Sequence, residues 1–179
     1  MAEDMKIPET TEEVLKIALE MEEEGYRTYT DGAKKVHNSL GRRMLERLAQ
    51  DEIAHMERIR EAYEALEGKR SWEDVSMHNS GDAPTFENIF NRLRGELNRS
   101  LEELGQRGVD DEEVIETALN LESHGKFFYA EAAKKAKDLK VKEFLEILAK
   151  EEESHYKALR NINNFMADPA NWFATQGKF

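Results

Sequence analysis

The sequence predicts an all-α fold: a four-helix bundle made of two copies of one helical hairpin. Three observations carry this. Apolar residues recur at alternating spacings of three and four, which places them on one face of a helix. The pattern repeats at an offset of 100 residues, and across residues 12–36 and 112–136, 11 of 25 positions are identical without a gap. Prolines number three and glycines ten in 179 residues, most of them between the periodic stretches, so the helices are long.

Residues 1–9 form a lead-in that ends near Pro8. Thr10 with Glu13 makes a capping box, and a helix follows to about His37. Its apolar stripe is Val14/Leu15, Ala18, Glu22, Gly25/Tyr26, Tyr29, Ala33, Val36. Asn38, Ser39 and Gly41 mark a turn, with Ser39 the expected N-cap. The second helix runs to about Glu67 and stops at Gly68. Its stripe is Gly41, Leu45, Leu48, Glu52, His55, Ile59, Ala62, Leu66. Residues 68–109 are the connection between the repeats. They begin irregularly and then read as an amphipathic bracing helix from Pro84 to Leu104, ended by Gly105 and Gly108.

The second repeat spans residues 110–167. Asp110 with Glu113 repeats the capping signal, and the third helix carries Val114/Ile115, Ala118, Glu122, Gly125, Tyr129, Ala133, Ala136. Asp138 is the expected cap of the fourth helix, whose stripe is Val141, Leu145, Leu148, Glu152, His155, Leu159, Ile162, Met166. That helix ends near Asp168-Pro169. The tail, residues 168–179, contains Asn171-Trp172-Phe173, which should fold over the bundle end. Helices of about 25 residues are roughly 37 Å long. Short turns make the two helices of each hairpin antiparallel neighbours, and the whole chain, 1–179, reads as one domain, with hairpins 10–67 and 110–167.

Composition narrows the function. The net charge is −12, which argues against nucleic-acid binding. There is no cysteine, which excludes disulfides, thiolate zinc sites and cysteine-ligated iron–sulfur centres. No apolar run approaches the roughly 20 residues needed to cross a membrane. The N-terminus lacks the basic and apolar regions of a secretory signal, so the expected location is the cytoplasm.

The chemistry lies where the stripes are interrupted. A face made for burial carries Glu52 and His55 on the second helix, and Glu152 and His155 in the same phase on the fourth. Glu22 and Glu122 interrupt the first and third stripes. An unpaired buried carboxylate costs several kcal/mol, so these six residues need a counter-charge. A glutamate from each of two helices plus a Glu-x-x-His from each of the other two is the ligand set of di-iron and di-manganese carboxylate bundles. Four carboxylates balance two divalent ions, and mixed carboxylate and imidazole donors suit iron or manganese. The competing reading is a set of buried ion pairs, which leaves four acids against two histidines. Asp51 and Glu151, just before the Glu-x-x-His pairs, are either acceptors that orient a ligand histidine or ordinary exposed acids. Tyr29 and Tyr129 either hydrogen-bond a ligand carboxylate or fill the core. His37, His78 and His124 lie off the stripes and read as surface residues.

Glu22 with Tyr29, Leu48-Ala49-x-x-Glu52-x-x-His55, and their counterparts Glu122 with Tyr129 and Leu148-Ala149-x-x-Glu152-x-x-His155 resemble the rubrerythrin family of the ferritin-like superfamily. The resemblance implies a ferritin-like bundle with two iron ions, manganese being the alternative, that reacts with hydrogen peroxide or dioxygen. Two departures stand out. Full-length rubrerythrins carry a cysteine-ligated rubredoxin domain, so this chain is expected to take electrons from Fe(II) or from an unknown partner donor. They also usually place another glutamate one turn beyond the third helix's ligand, where this sequence has Gly125. The expected activity is peroxide or oxygen reduction, and the alternative is iron storage with ferroxidase activity. A homodimer or larger homo-oligomer is expected.

Overall fold

The computed structural model describes residues 6–77 and 109–176. Among them, five α-helices occur with no strand: α1 Thr11–Lys35, α2 Ser39–Leu66, α3 Val109–Lys135, α4 Leu139–Ala167 and α5 Pro169–Gln176, with a 3-10 turn at Trp72–Asp74. The predicted bracing helix and His78 fall outside the described residues.

The helix ends are fixed by local chemistry. The Thr10 hydroxyl accepts from Glu13 N, as the capping box requires. Gly68 closes the end of α2 with φ of 73°, a conformation that costs an L side chain more than glycine. Asp138 caps α4 by accepting from Lys140 N and Val141 N. Two expected caps need correction. Asn38, not Ser39, caps α2, because its amide oxygen reaches both Leu40 N and Gly41 N. Asp110 does not precede α3, which already includes Val109. The first turn of α3 is held by a tertiary contact instead: the buried carboxylate of Asp111 accepts from His37 N at 2.9 Å and Asn38 N at 3.2 Å.

The helices pack as a square, α1 along α2, α3 along α4, α1 beside α3 and α2 beside α4. Asp111, at the start of α3, meets His37 at the end of α1, and Lys135, at the end of α3, donates to Ile7 O before α1. So α3 is antiparallel to α1 and parallel to α2. The end of α2 and the start of α3 therefore lie at opposite ends of the bundle.

The apolar stripes meet in two clusters. One contains Leu45, Leu48, Ile115, Leu159, Ile162 and Phe165. The other contains Leu15, Ile59, Phe128, Phe144, Leu145 and Leu148. The six interrupting acids and histidines fall between them, so a polar layer is sealed by apolar side chains on both sides. The tail behaves as expected: Trp172 of α5 is buried with its ring edge-on to Phe165, 5.5 Å between centroids.

Candidate metal centre

Each helix delivers its polar residues because the stripe that buries its neighbours buries them too. Glu22, Glu52, Glu122, Glu152, His55 and His155 are all at most 4% exposed. The structure brings all six together. His55 and His155 stack, with centroids 5.5 Å apart and planes inclined by 19°. His55 Nδ1 lies 3.0 Å from Glu22 Oε2, 3.2 Å from Glu152 Oε1 and 3.5 Å from Glu52 Oε2. His155 Nδ1 lies 3.4 Å from Glu122 Oε2 and 4.0 Å from Glu152 Oε2. Two overlapping groups of donor atoms result, Glu22/Glu52/His55/Glu152 and Glu122/Glu152/His155, each within 4.8 Å. Glu152 belongs to both.

The neighbouring residues cross between the hairpins. Tyr29 on α1 donates to Glu122 on α3 at 2.7 Å, and Tyr129 on α3 donates to Glu22 on α1. Glu151 on α4 stands 3.2 Å from His55 Nε2, and Asp51 on α2 stands 3.6 Å from His155 Nε2. Both are ion-pair contacts, and neither Nε2 makes a hydrogen bond. His37 and His124 lie away from the cluster, and His37 Nδ1 is 3.2 Å from Asp111.

Charge is distributed in a definite pattern. Burial raises Glu52 well above the usual carboxylate range, and the charge of Glu22 adds to the rise; burial and Glu122 do the same to Glu152. Burial works to raise Glu22 too, but the His55 cation and hydrogen bonds from Glu52, His55 and Tyr129 outweigh it and hold Glu22 at about 2. Glu122 is lowered in the same way, His155 opposing its burial. Burial would lower both imidazoles, yet Glu22 and Glu151 push His55 well up, and Glu122 and Asp51 push His155 up to about 10. Without metal, Glu22 and Glu122 are thus shifted toward the carboxylate, Glu52 and Glu152 toward the protonated form and both imidazoles toward the cation, so the charges tend to cancel.

Protons do not satisfy every atom. Glu52 Oε2, Glu122 Oε2, Glu152 Oε1 and His155 Nδ1 are buried without a hydrogen-bond partner. Such orphans are uncommon and cost about 1–3 kcal/mol each. All four belong to the two donor groups, and a pair of divalent cations would satisfy them. Space has been left for the carboxylates as well: a Cβ on Gly25 would sit 3.0 Å from Glu52 Oε1, and one on Gly125 would sit 3.3 Å from Glu152 Oε2.

Three charged residues were not anticipated. Arg58 is 3% exposed and its guanidinium holds Glu151 while donating to Met77 O at 3.0 Å. Arg47 pairs with Asp51 at 2.9 Å. Asp111 ties α3 to the α1–α2 turn. Their signal in the sequence is that each departs from the repeat: Ala158, Ile147 and Thr11 occupy the equivalent positions.

A helical bundle that seals four glutamates and two histidines between apolar layers has the donor set of a buried metal site. Residues 13–107 match the rubrerythrin family model, and the chain belongs to the rubrerythrin family. That match covers Glu22, Glu52 and His55, and the internal repeat supplies their counterparts. No significant match to a curated protein or to a solved structure accompanies it. Among the described residues no helix is long and apolar enough to cross a membrane.

Proposed function

We propose that this protein is a non-haem di-iron oxidoreductase that reduces hydrogen peroxide or dioxygen with electrons from Fe(II) or a partner donor. The observation that carries the reading is Glu152, whose carboxylate is common to two donor groups that each have their own histidine. Two adjacent divalent metals could share such a carboxylate. The ligands are Glu22, Glu52, His55, Glu122, Glu152 and His155. Iron is favoured by the family, and manganese is the alternative by donor chemistry.

Two Fe(II) ions held by these six residues would supply the two electrons that, with two protons, convert one hydrogen peroxide into two waters. The protein's own groups do the rest. Tyr29 and Tyr129 fix the outer glutamates by donating to one oxygen and leaving the other turned inward. Asp51 and Glu151 stand behind the imidazoles and orient them. The two apolar clusters exclude bulk water from the layer. Both tyrosine hydroxyls are pushed up in pKa, first by burial and then by the carboxylates facing them, so they stay protonated donors. The chain acts as one ferritin-like domain, in the cytoplasm, as a homodimer or larger homo-oligomer.

A second reading, iron storage with ferroxidase activity, is favoured by Gly125, which leaves no further carboxylate one turn beyond Glu122. Anaerobic Fe(II) titration followed by stopped-flow mixing separates the two. Saturation at two irons per chain with faster oxidation by peroxide supports the oxidoreductase. Fast oxidation by oxygen with continued iron uptake supports storage. No stoichiometric binding overturns both.

A further inference from the structure

The two halves of the cluster are built differently, and the difference lies in charged residues that the repeat does not share. The His55 half converges four donor atoms and the His155 half three. Behind His55, Glu151 approaches Nε2 to 3.2 Å; behind His155, Asp51 remains at 3.6 Å. Arg58 grips both oxygens of Glu151 and is anchored in turn on Met77 O. Its counterpart in the repeat is Ala158, so no such clamp exists behind His155. Asp51 has Arg47 instead, one turn away on its own helix, with a side chain 36% exposed. A buried guanidinium is a planar fork held in one geometry, whereas a pair whose arginine reaches solvent is more screened and less fixed. Each acid is neutralised by its arginine, so the halves differ in rigidity rather than in charge.

We propose that Arg58 is a positioning residue that makes the two halves unequal, so that metal fills the His55 half first and the His155 half second. The inference rests on the two-metal reading above. Arg58 fixes Glu151, and Glu151 backs the Nε2 edge of His55, which leaves Nδ1 turned toward Glu22, Glu52 and Glu152. Binding there needs little rearrangement, and the cost of ordering groups on binding falls accordingly. The second ion meets fewer converged donors, a Glu152 already engaged and the charge of the first ion.

The test is anaerobic titration of the full chain with Co(II), followed by visible absorption and calorimetry. The unaltered protein should bind two Co(II) in separate steps, the first about tenfold or more tighter, on the scale that outer partners exert on metal affinity. Arg58→Met should weaken the first step about tenfold and bring the steps together. Glu151→Gln, which keeps the side chain's shape, should do the same and carries the test if Arg58→Met does not fold. Arg47→Met should leave the first step where it was. A variant that merely loosens the bundle lowers both steps together, so the split between them is the readout. Two equal steps in the unaltered protein, or a first step unmoved in both variants, overturns the inference and leaves the two-metal reading standing. No Co(II) binding at all overturns both.

Discussion

Tyr29 donates to Glu122 across 93 residues of sequence, from α1 to α3, at 2.7 Å and in full burial. Tyr129 returns the same bond to Glu22. Each of these two helices supplies a glutamate and no histidine to the polar layer, and each carboxylate is held by the other's tyrosine. Removing either hydroxyl strands a buried carboxylate oxygen. Tyr29→Phe and Tyr129→Phe should each cost about 2 kcal/mol of stability, the penalty of a lost charge-assisted bond. Each should also lower metal affinity about tenfold. Urea unfolding and metal titration measure the two effects. A neutral result in both would mean that the hydroxyls only fill space.

The charge pattern of the metal-free cluster predicts what binding must displace. Glu52 and Glu152 are shifted toward their protonated forms and both imidazoles toward cations. Metal ligation needs all four deprotonated. Loading both halves should therefore release protons, up to four per chain. Calorimetry in buffers of different ionisation enthalpy counts them. Release near zero would mean that the ligands are already deprotonated and that the neutral, proton-filled cluster is wrong.

The same groups set the pH dependence of the metal-free protein. His155 rises from 6.5 to about 10 on folding. Its stabilisation is complete below pH 6.5 and disappears as pH climbs through 10. Glu22 and Glu151 fall from 4.5 to about 2, burial being outweighed by His55 for both and by Arg58 for Glu151. Their stabilisation is complete above pH 4.5 and is lost as pH drops through 2. Melting temperature in the presence of a chelator should thus be highest between pH 4.5 and 6.5 and fall on both sides. With metal bound the imidazoles are neutral, so the alkaline fall should shrink. An alkaline limb that metal does not alter would contradict this assignment.

How far the sequence could be read follows from which contacts are periodic. The stripes of α2 and α4 revealed Glu52, His55, Glu152 and His155 because burial of a helix face is a local, repeating property. The 100-residue offset paired them with Glu22 and Glu122, and it matched Tyr29 with Tyr129. The caps of α2 and α3 were less legible. Asn38 and Ser39 are both good capping residues, and only the backbone geometry of the turn selects Asn38. Asp111 carries no signal in its own stretch, since its partners, His37 N and Asn38 N, belong to another hairpin. Arg58 was hidden for the same reason: a buried arginine makes sense only beside Glu151, 93 residues away. The sequence marked the shared chemistry of the repeats and not the contacts that break their symmetry.

Gly25 and Gly125 offer a last test, because each is the wall against which one Glu-x-x-His glutamate rests. Glycine inside a helix is destabilising by about 1 kcal/mol relative to alanine, so alanine at a roomy position would be a gain. Here the added Cβ would lie 3.0 Å from Glu52 Oε1 at position 25 and 3.3 Å from Glu152 Oε2 at position 125. Both carboxylates are hemmed in by the cluster, so each must yield by moving its oxygens. Gly25→Ala, with the closer contact, should weaken metal binding more than Gly125→Ala, while both variants keep or gain helix stability. Metal titration alongside thermal melts of the metal-free proteins separates the two effects. If both substitutions stabilise the fold and leave metal affinity unchanged, the glycines are not there to make room for the ligands.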